Sequence, residues 1–340
     1  MSAAPTAAPT RRMIAVIVLV PLVVALALWA FAWPAARLAP RDLPVGVAGP
    51  DAATAQLEQR FAQREGAFEV HRYADEASAR DAIEDHVVYG AMVVTPQGPK
   101  VLTASAASPV VAQLLKESVA AGAPAGTEPQ IEDIVPAPSG DPRGGGLASS
   151  ILPLSLAGLA AGALVTLLGL RGARAVIALV GTAVLVGITA AAVAHSWLGI
   201  LTGDWWAEAG VLGLTVLAVG AAVAGLATLI GQAGIGLGAL VIVLIGNPFS
   251  GVSSAPELLP EPAGPIGQWL SAGASGSLLR SVAYFDGSGA GRPALVLSLW
   301  VVLGVAAVLI GGRRRVDGHR GADVRSEVEG HRDPEPAPAA

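Results

Sequence analysis

The chain has 340 residues, 53% of them hydrophobic and 14% charged, with a formal net charge of −5 and a mean hydropathy of +0.60. Soluble globular chains carry about 25% charged residues, and the deficit here is confined to particular stretches, which argues against a wholly soluble protein. Cysteine is absent, which excludes disulfides, thiolate metal sites and a cysteine nucleophile, and no basic run offers a nucleic-acid footprint.

A bilayer core about 30 Å thick needs about 20 apolar helical residues. Met13 to Trp33 meets that need, preceded by Arg11 and Arg12 and closed by Trp29, Phe31 and Trp33. It exceeds a signal-peptide apolar core and lacks a clean small-residue cleavage site. We therefore read residues 1–12 as a cytoplasmic N-terminus and 13–33 as an anchoring transmembrane helix.

Pro34 to Gly146 reads as a folded domain outside the bilayer. Val45–Ala48 is a short apolar strand. Asp51 to Arg64 is a helix with Leu57 and Phe61 on one face and Asp51 as its cap. Phe68–Tyr73 is a second strand, and Asp75–Asp85 a helix with Ala79 and Ile83 together. Val87–Thr95 is nearly continuous in apolar residues, which suits a buried central strand. Lys100–Ala104 pairs beside it, Ser108-Pro109 opens a helix to Val119, and Ile131–Val135 closes the series. Alternating strands and helices imply an α/β domain. Pro136–Gly146 is a linker back to the membrane.

Residues 147–312 form the membrane domain, with further helices at 147–170, 175–197, 211–230, 235–246 and 293–312. The break at Gly231-Gln232-Ala233-Gly234 divides one long apolar stretch into the fourth and fifth spans. The fifth is short and is expected to stop partway through the bilayer. Gly158-x-x-x-Gly162 and Gly234-x-x-x-Gly238 permit close helix approach, and internal packing is favoured over a dimer face. With the N-terminus inside, Arg171, Arg174 and Arg313–Arg315 fall on the same side, as the excess of basic residues in cytoplasmic loops requires. Both termini are then cytoplasmic, and residues 313–340 form a polar tail expected to be disordered.

The chemistry is sparse. There is no G-x-x-x-x-G-K-[ST] phosphate loop and no H-E-x-x-H, so ATP hydrolysis and a zinc protease site have no foundation in this chain. The five histidines are scattered, and no metal site or cofactor site is expected. Asp75-Glu76 and Glu84-Asp85 read as a solvated face. No acidic or basic residue falls inside a predicted span, which argues against ion-coupled transport. The informative piece is segment 247–291, rich in Pro and Gly between the last two spans. Its marked residues are Asn247, Pro248, Phe249, Gly251, Pro256, Glu257, Pro260, Gly273 and Arg280. Irregular backbone at membrane depth requires protein or a water-filled cavity beside it, so the expectation is a pair of short re-entrant helices in the outer leaflet with Trp269 at the interface. The bland reading is a long external loop.

Asn247-Pro-Phe-Ser-Gly251, Ala255-Pro-Glu-Leu-Leu-Pro260 and the run from Gly273 through Arg280 to Tyr284-Phe-Asp-Gly287 resemble the corresponding segment of ABC-2-type transporter permeases. The likeness is strongest to the branch that includes the phage infection protein. Leu43-Pro-Val-Gly-Val-Ala48 and Tyr89-Gly-Ala-Met-Val-Val94 are similar to that branch's outside domain, and the resemblance covers about Arg11 to Arg315. It implies a polytopic α-helical protein of six spans in a bacterial plasma membrane, with an extracytoplasmic α/β domain between helices one and two. It further implies an export permease, a homodimer or heterodimer of permeases, that moves a hydrophobic or amphipathic substrate and draws on ATP bound by a separate ATPase subunit. The loop Gly169–Arg174 is too short for an obvious ATPase-coupling helix. A non-transporting surface receptor or secretion accessory is therefore the alternative. A membrane enzyme lacks any catalytic constellation.

Overall fold

The computed structural model describes residues 7–96, 98–122 and 130–330. Six of the described helices are long and apolar enough to cross a membrane, and the chain is a multi-pass membrane protein.

Helix α1 (Ala7–Ala35) carries the first candidate span, Met13–Ala35. Its apolar residues from Met13 to Val24 stand exposed, as a helix facing lipid tails requires. Only its C-terminal end is held: Trp29 stacks on Trp33 at 5.5 Å between centroids, and both meet Phe249 at 6.1 and 6.3 Å.

The α/β domain follows as β1 (Leu43–Ala48), α2 (Asp51–Ala62), β2 (Phe68–Tyr73), α3 (Glu76–Glu84), β3 (Gly90–Thr95), β4 (Gly98–Thr103), α4 (Pro109–Gly122) and β5 (Gln130–Asp133). The sheet order is β2-β1-β3-β4-β5, with only the β3–β4 pair antiparallel. The apolar run ending at Thr95 therefore becomes the central strand. Two helix starts differ from expectation. Asp51 makes no cap hydrogen bond; its carboxylate lies 2.6 Å from Arg72 Nη2 instead. Asp75 caps α3 through a reciprocal box with Ser78. Glu76 is not merely solvated: Lys100 Nζ lies 2.6 Å from it and 2.8 Å from Glu132, and Arg80 bridges the same two carboxylates.

The membrane domain is built around α7 (Trp205–Ile230), which is buried on nearly every face. Helices α5 (Gly145–Leu167), α6 (Gly172–Ala191, continued by a π-helical stretch to Trp197), α8 (Gln232–Ala239) and α12 (Gly291–Gly330) pack on it. The two G-x-x-x-G motifs explain the close approaches. A Cβ at Gly162 would stand 2.6 Å from the Gly220 carbonyl, and one at Gly238 would stand 2.9 Å from Val223 Cγ2. Both motifs face α7 within this one chain.

Three boundaries differ from the sequence reading. The fifth span is not cut short at 246. Helix α8 runs on through a π-helical stretch, Leu240–Gly246, into α9 (Asn247–Phe249), and the whole segment Gln232–Phe249 is a candidate span of 18 residues. Gly246-Asn247-Pro248 reads as a stop, but Pro248 stands in the first turn of α9, where its missing N–H costs nothing. Helix α7 starts at Trp205, six residues before the expected Val211, because Asp204 accepts a hydrogen bond from Ala207 N and caps it. The last helix continues to Gly330 where a disordered tail was expected from residue 313. No proline interrupts the sequence between Pro293 and Pro334, so nothing in the backbone stops the helix there. Residues 331–340 of that expected tail lie outside the described residues.

At one end of the bundle the α5–α6 turn, which holds Arg171, lies beside Ala227 and Gly311. At the other end, Tyr284 Oη donates to the Ile200 carbonyl at 2.7 Å and Thr202 Oγ1 to the Ala283 carbonyl at 3.2 Å. The α/β domain, the α6–α7 loop and segment 250–290 therefore share one end of the bundle.

Candidate functional site at the domain junction

Segment 250–290 is neither a plain loop nor a detached one. It folds into a 3-10 turn (Pro256–Leu258), α10 (Ala263–Trp269) and α11 (Ser271–Tyr284). The glycines make this compactness available. Gly251 has φ +67°, a conformation that costs a side chain steric strain, and a Cβ there would meet Pro256 N at 2.6 Å. Gly273 packs its α-carbon against the Gly267 carbonyl, bringing α11 onto α10. Gln268 ties the pieces together: its Nε2 donates to the Ser250 carbonyl at 2.8 Å and its Oε1 accepts from Ser277 at 2.7 Å.

This unit is stitched to the α/β domain. Arg41 N donates to the Glu257 carbonyl at 2.9 Å, Ala39 N to the Leu258 carbonyl at 3.0 Å, and Arg41 Nη1 to the same Leu258 oxygen at 3.0 Å. Ala255, Leu258 and Phe285 enter the apolar core of the domain beside Leu43, Ile83 and Val88. Domain and segment are one packed body.

Between them lies a cavity of about 220 Å³, lined by Pro44, His86, Tyr89, Glu257, Gln268, Ser277, Arg280 and Arg292 among others. Tyr89 Oη donates to Glu257 Oε2 at 2.9 Å. Burial, followed by the neighbouring carboxylate, pushes the Tyr89 phenol well above its usual range, so it stays a donor. Arg280 is 6% exposed, and its Nη2 donates to the Val252 carbonyl at 2.7 Å. Burial pushes its guanidinium downward, with Tyr89, Tyr284 and Glu257 opposing; a guanidinium nonetheless remains charged in proteins. His86 stacks on Phe285 at 4.1 Å between centroids. Burial, then the Arg280 charge, pushes it down to about 4, so it is neutral at physiological pH. Arg292, exposed at the first turn of α12, stands 5.7 Å over the Trp269 ring, a cation–π distance.

Of the nine marked residues, the structure brings Pro256, Glu257 and Arg280 to this cavity. Asn247, Pro248 and Phe249 belong instead to the end of the fifth span. Pro260 is buried but lines no wall of the cavity. Gly251 and Gly273 shape the backbone. Sequence reasoning missed His86, Gln268, Ser277 and Arg292. The usable signal was Arg280 itself, a lone charge in the otherwise uncharged α11. His86 and Tyr89, which line the same cavity, come from a domain some 190 residues earlier in the chain, and no local pattern announces them.

The expectation of charge-free spans also needs correction. Glu208 lies in the candidate span Trp205–Ile230 and is fully buried. Its Oε2 is 2.8 Å from His195 Nδ1, and its Oε1 accepts from Gly203 N at 2.7 Å. Arg174 and Arg292 fall at the ends of other candidate spans. A loop carboxylate became a span residue because α7 starts earlier than its apolar run. Among the described residues, no three His, Cys, Asp or Glu side chains gather closely enough to hold a metal ion.

Residues 11–135 match the family model of ABC-2 family transporter proteins. The ABC-2 match therefore begins before the first candidate span and ends just past β5, taking in the span and the whole sheet domain. No curated protein and no solved structure matches the chain significantly. Helices α5 to α12 and the junction segment lie beyond the ABC-2 match. For those parts the structure alone gives the architecture, six candidate spans in all.

Proposed function

We propose that this chain is the permease subunit of an ABC-2-type exporter that moves a hydrophobic or amphipathic substrate with a separate ATPase. The observation that carries the reading is the ABC-2 family match over residues 11–135, joined to six candidate spans with a folded domain after the first. Arg11, Arg12, Arg171 and Arg174 at the bundle end opposite the domain support a cytoplasmic position for that end by the basic-residue rule. The domain and the junction unit then face outward, and both termini face inward, in a bacterial plasma membrane. The motifs around Asn247, Ala255 and Gly273 favour the phage infection protein-like branch, and two permease copies per complex fit that reading.

Energy in this scheme comes from ATP bound elsewhere, since this chain has no phosphate loop. The full chain, purified from its native membrane in mild detergent, tests the proposal. Recovery of an ATPase subunit in near-stoichiometric amount supports it, and recovery of none removes its energy source.

One observation favours a second reading. Only Leu168–Arg171 connect α5 to α6, which leaves no helix there to engage an ATPase. A non-transporting receptor or secretion accessory needs no such helix. Deletion of residues 43–135 separates the two: lost partner binding with unchanged efflux supports the receptor.

A further inference from the structure

We propose that the junction cavity is a binding site for a singly charged oxyanion group, of the kind carried by a phosphodiester or a carboxylate. The inference stands on binding alone and requires neither transport nor an ATPase.

Arg280 is the first reason. A buried cation is costly unless it is paired, yet among the described residues no carboxylate oxygen lies within 4.0 Å of its guanidinium. Its one hydrogen bond to a described residue goes from Nη2 to the Val252 carbonyl. The remaining N–H groups belong to a side chain that lines the cavity, and their planar fork matches an oxyanion.

The surroundings supply the second reason. Arg292 and Pro293 line the same cavity from the first turn of α12, where the positive end of a long helix favours an anion. Tyr89, Gln268 and Ser277 bring further hydrogen-bonding groups to the wall. The charge count fixes the valence. Arg280 and Arg292 contribute two positive charges, Glu257 one negative charge, and neutral His86 none. A net charge of one suits a monoanion better than the dianion of a phosphate monoester.

The cavity holds about 220 Å³, enough for a headgroup and not for a whole lipid. Arg292 and Trp269 stand together at the start of a candidate span, where Arg and Trp commonly meet lipid headgroups. The same oxyanion chemistry could arrive on a phospholipid or as a free small solute, and the assay arms distinguish the two.

Isothermal titration of the full chain in non-ionic detergent tests the site. The probes are dimethyl phosphate, acetate, inorganic phosphate, and the soluble short-chain lipids dihexanoylphosphatidylglycerol and dihexanoylphosphatidylcholine. Saturable binding of at least one singly charged probe is expected, weakened about ten-fold in Arg280→Gln and about three-fold in Arg292→Gln, the loss anticipated for a charged hydrogen bond and an exposed charge. Tighter binding of the phosphatidylglycerol than of dimethyl phosphate assigns the site to lipid; equal or weaker binding assigns it to a solute. Arg280→Lys, which keeps the charge but not the fork, should fall between wild type and Arg280→Gln. Should Arg280→Gln fail to fold, Arg292→Gln and Arg280→Lys decide the question. No saturable binding of any singly charged probe, or affinity unchanged in the folded variants, overturns the proposal.

Discussion

His86 allows the junction to be tested through its pH dependence. The imidazole stacks on Phe285 at 4.1 Å, and burial with the Arg280 charge holds its pKa at about 4 instead of 6.5. Its folded-state pKa is depressed, so the folded protein binds fewer protons than the unfolded chain between those values. Stability is then complete above pH 6.5 and falls as pH drops towards 4. At pH 5 the loss amounts to about 2 kcal/mol, and the limit below pH 4 is about 3 kcal/mol. Thermal unfolding followed by tryptophan fluorescence in detergent, from pH 7.5 to 4.5, compares the native chain with His86→Asn. Asparagine tolerates the left-handed backbone at this position, φ 57°, better than most residues, and it does not titrate. The variant should start lower for loss of the stacked ring but decline less with acid, narrowing the gap by about 2 kcal/mol at pH 5. Parallel curves would refute the reasoning, because carboxylates common to both chains would then account for the whole acid loss.

Other substitutions probe the packing. Glu208→Ala removes the partner of His195 and of Gly203 N and should cost about 3 kcal/mol in thermal stability. Glu208→Gln, which can keep the acceptor for Gly203 N, should cost about 1–2 kcal/mol. Tyr89→Phe leaves Glu257 without its 2.9 Å donor and should cost about 1–2 kcal/mol in the same measurement. Gly162→Val should destabilise by about 3 kcal/mol or more by driving α5 off α7, whereas Gly181→Ala, where a Cβ meets nothing within 4 Å, should be neutral or stabilising by up to about 1 kcal/mol. Equal effects at the two glycines would contradict the internal role of the close helix approach.

Much of this architecture was legible in residue pattern. Phe68–Tyr73 emerges as a strand with the same bounds, and the apolar run to Thr95 as the central one. Apolar length sufficed to find the spans, since a bilayer sets their length. Boundaries failed where hydrogen-bond geometry decides: the Asp204 cap extended α7 backward, and the π-helical stretch at Leu240–Gly246 carried the fifth span onward. The site was only half legible. Arg280 and Glu257 drew notice because they lie in the Pro- and Gly-rich segment between the last two spans. The place of His86 and Tyr89 beside them was not foreseen, because what brings them there is the docking of a domain, a long-range contact that composition does not encode.

Membrane sidedness decides whether the domain and junction can meet anything outside the cell. The chain lacks cysteine, so single cysteines report without background. Asp51→Cys on the α/β domain, Asp286→Cys after α11 and Arg171→Cys in the α5–α6 turn are exposed, and Ser275→Cys is buried in α11. Labelling of intact cells with a membrane-impermeant maleimide should modify the cysteines at 51 and 286, spare the one at 275, and reach the one at 171 only after permeabilisation. Labelling of 171 from outside, or of 51 and 286 only after permeabilisation, would contradict an outward-facing domain and junction.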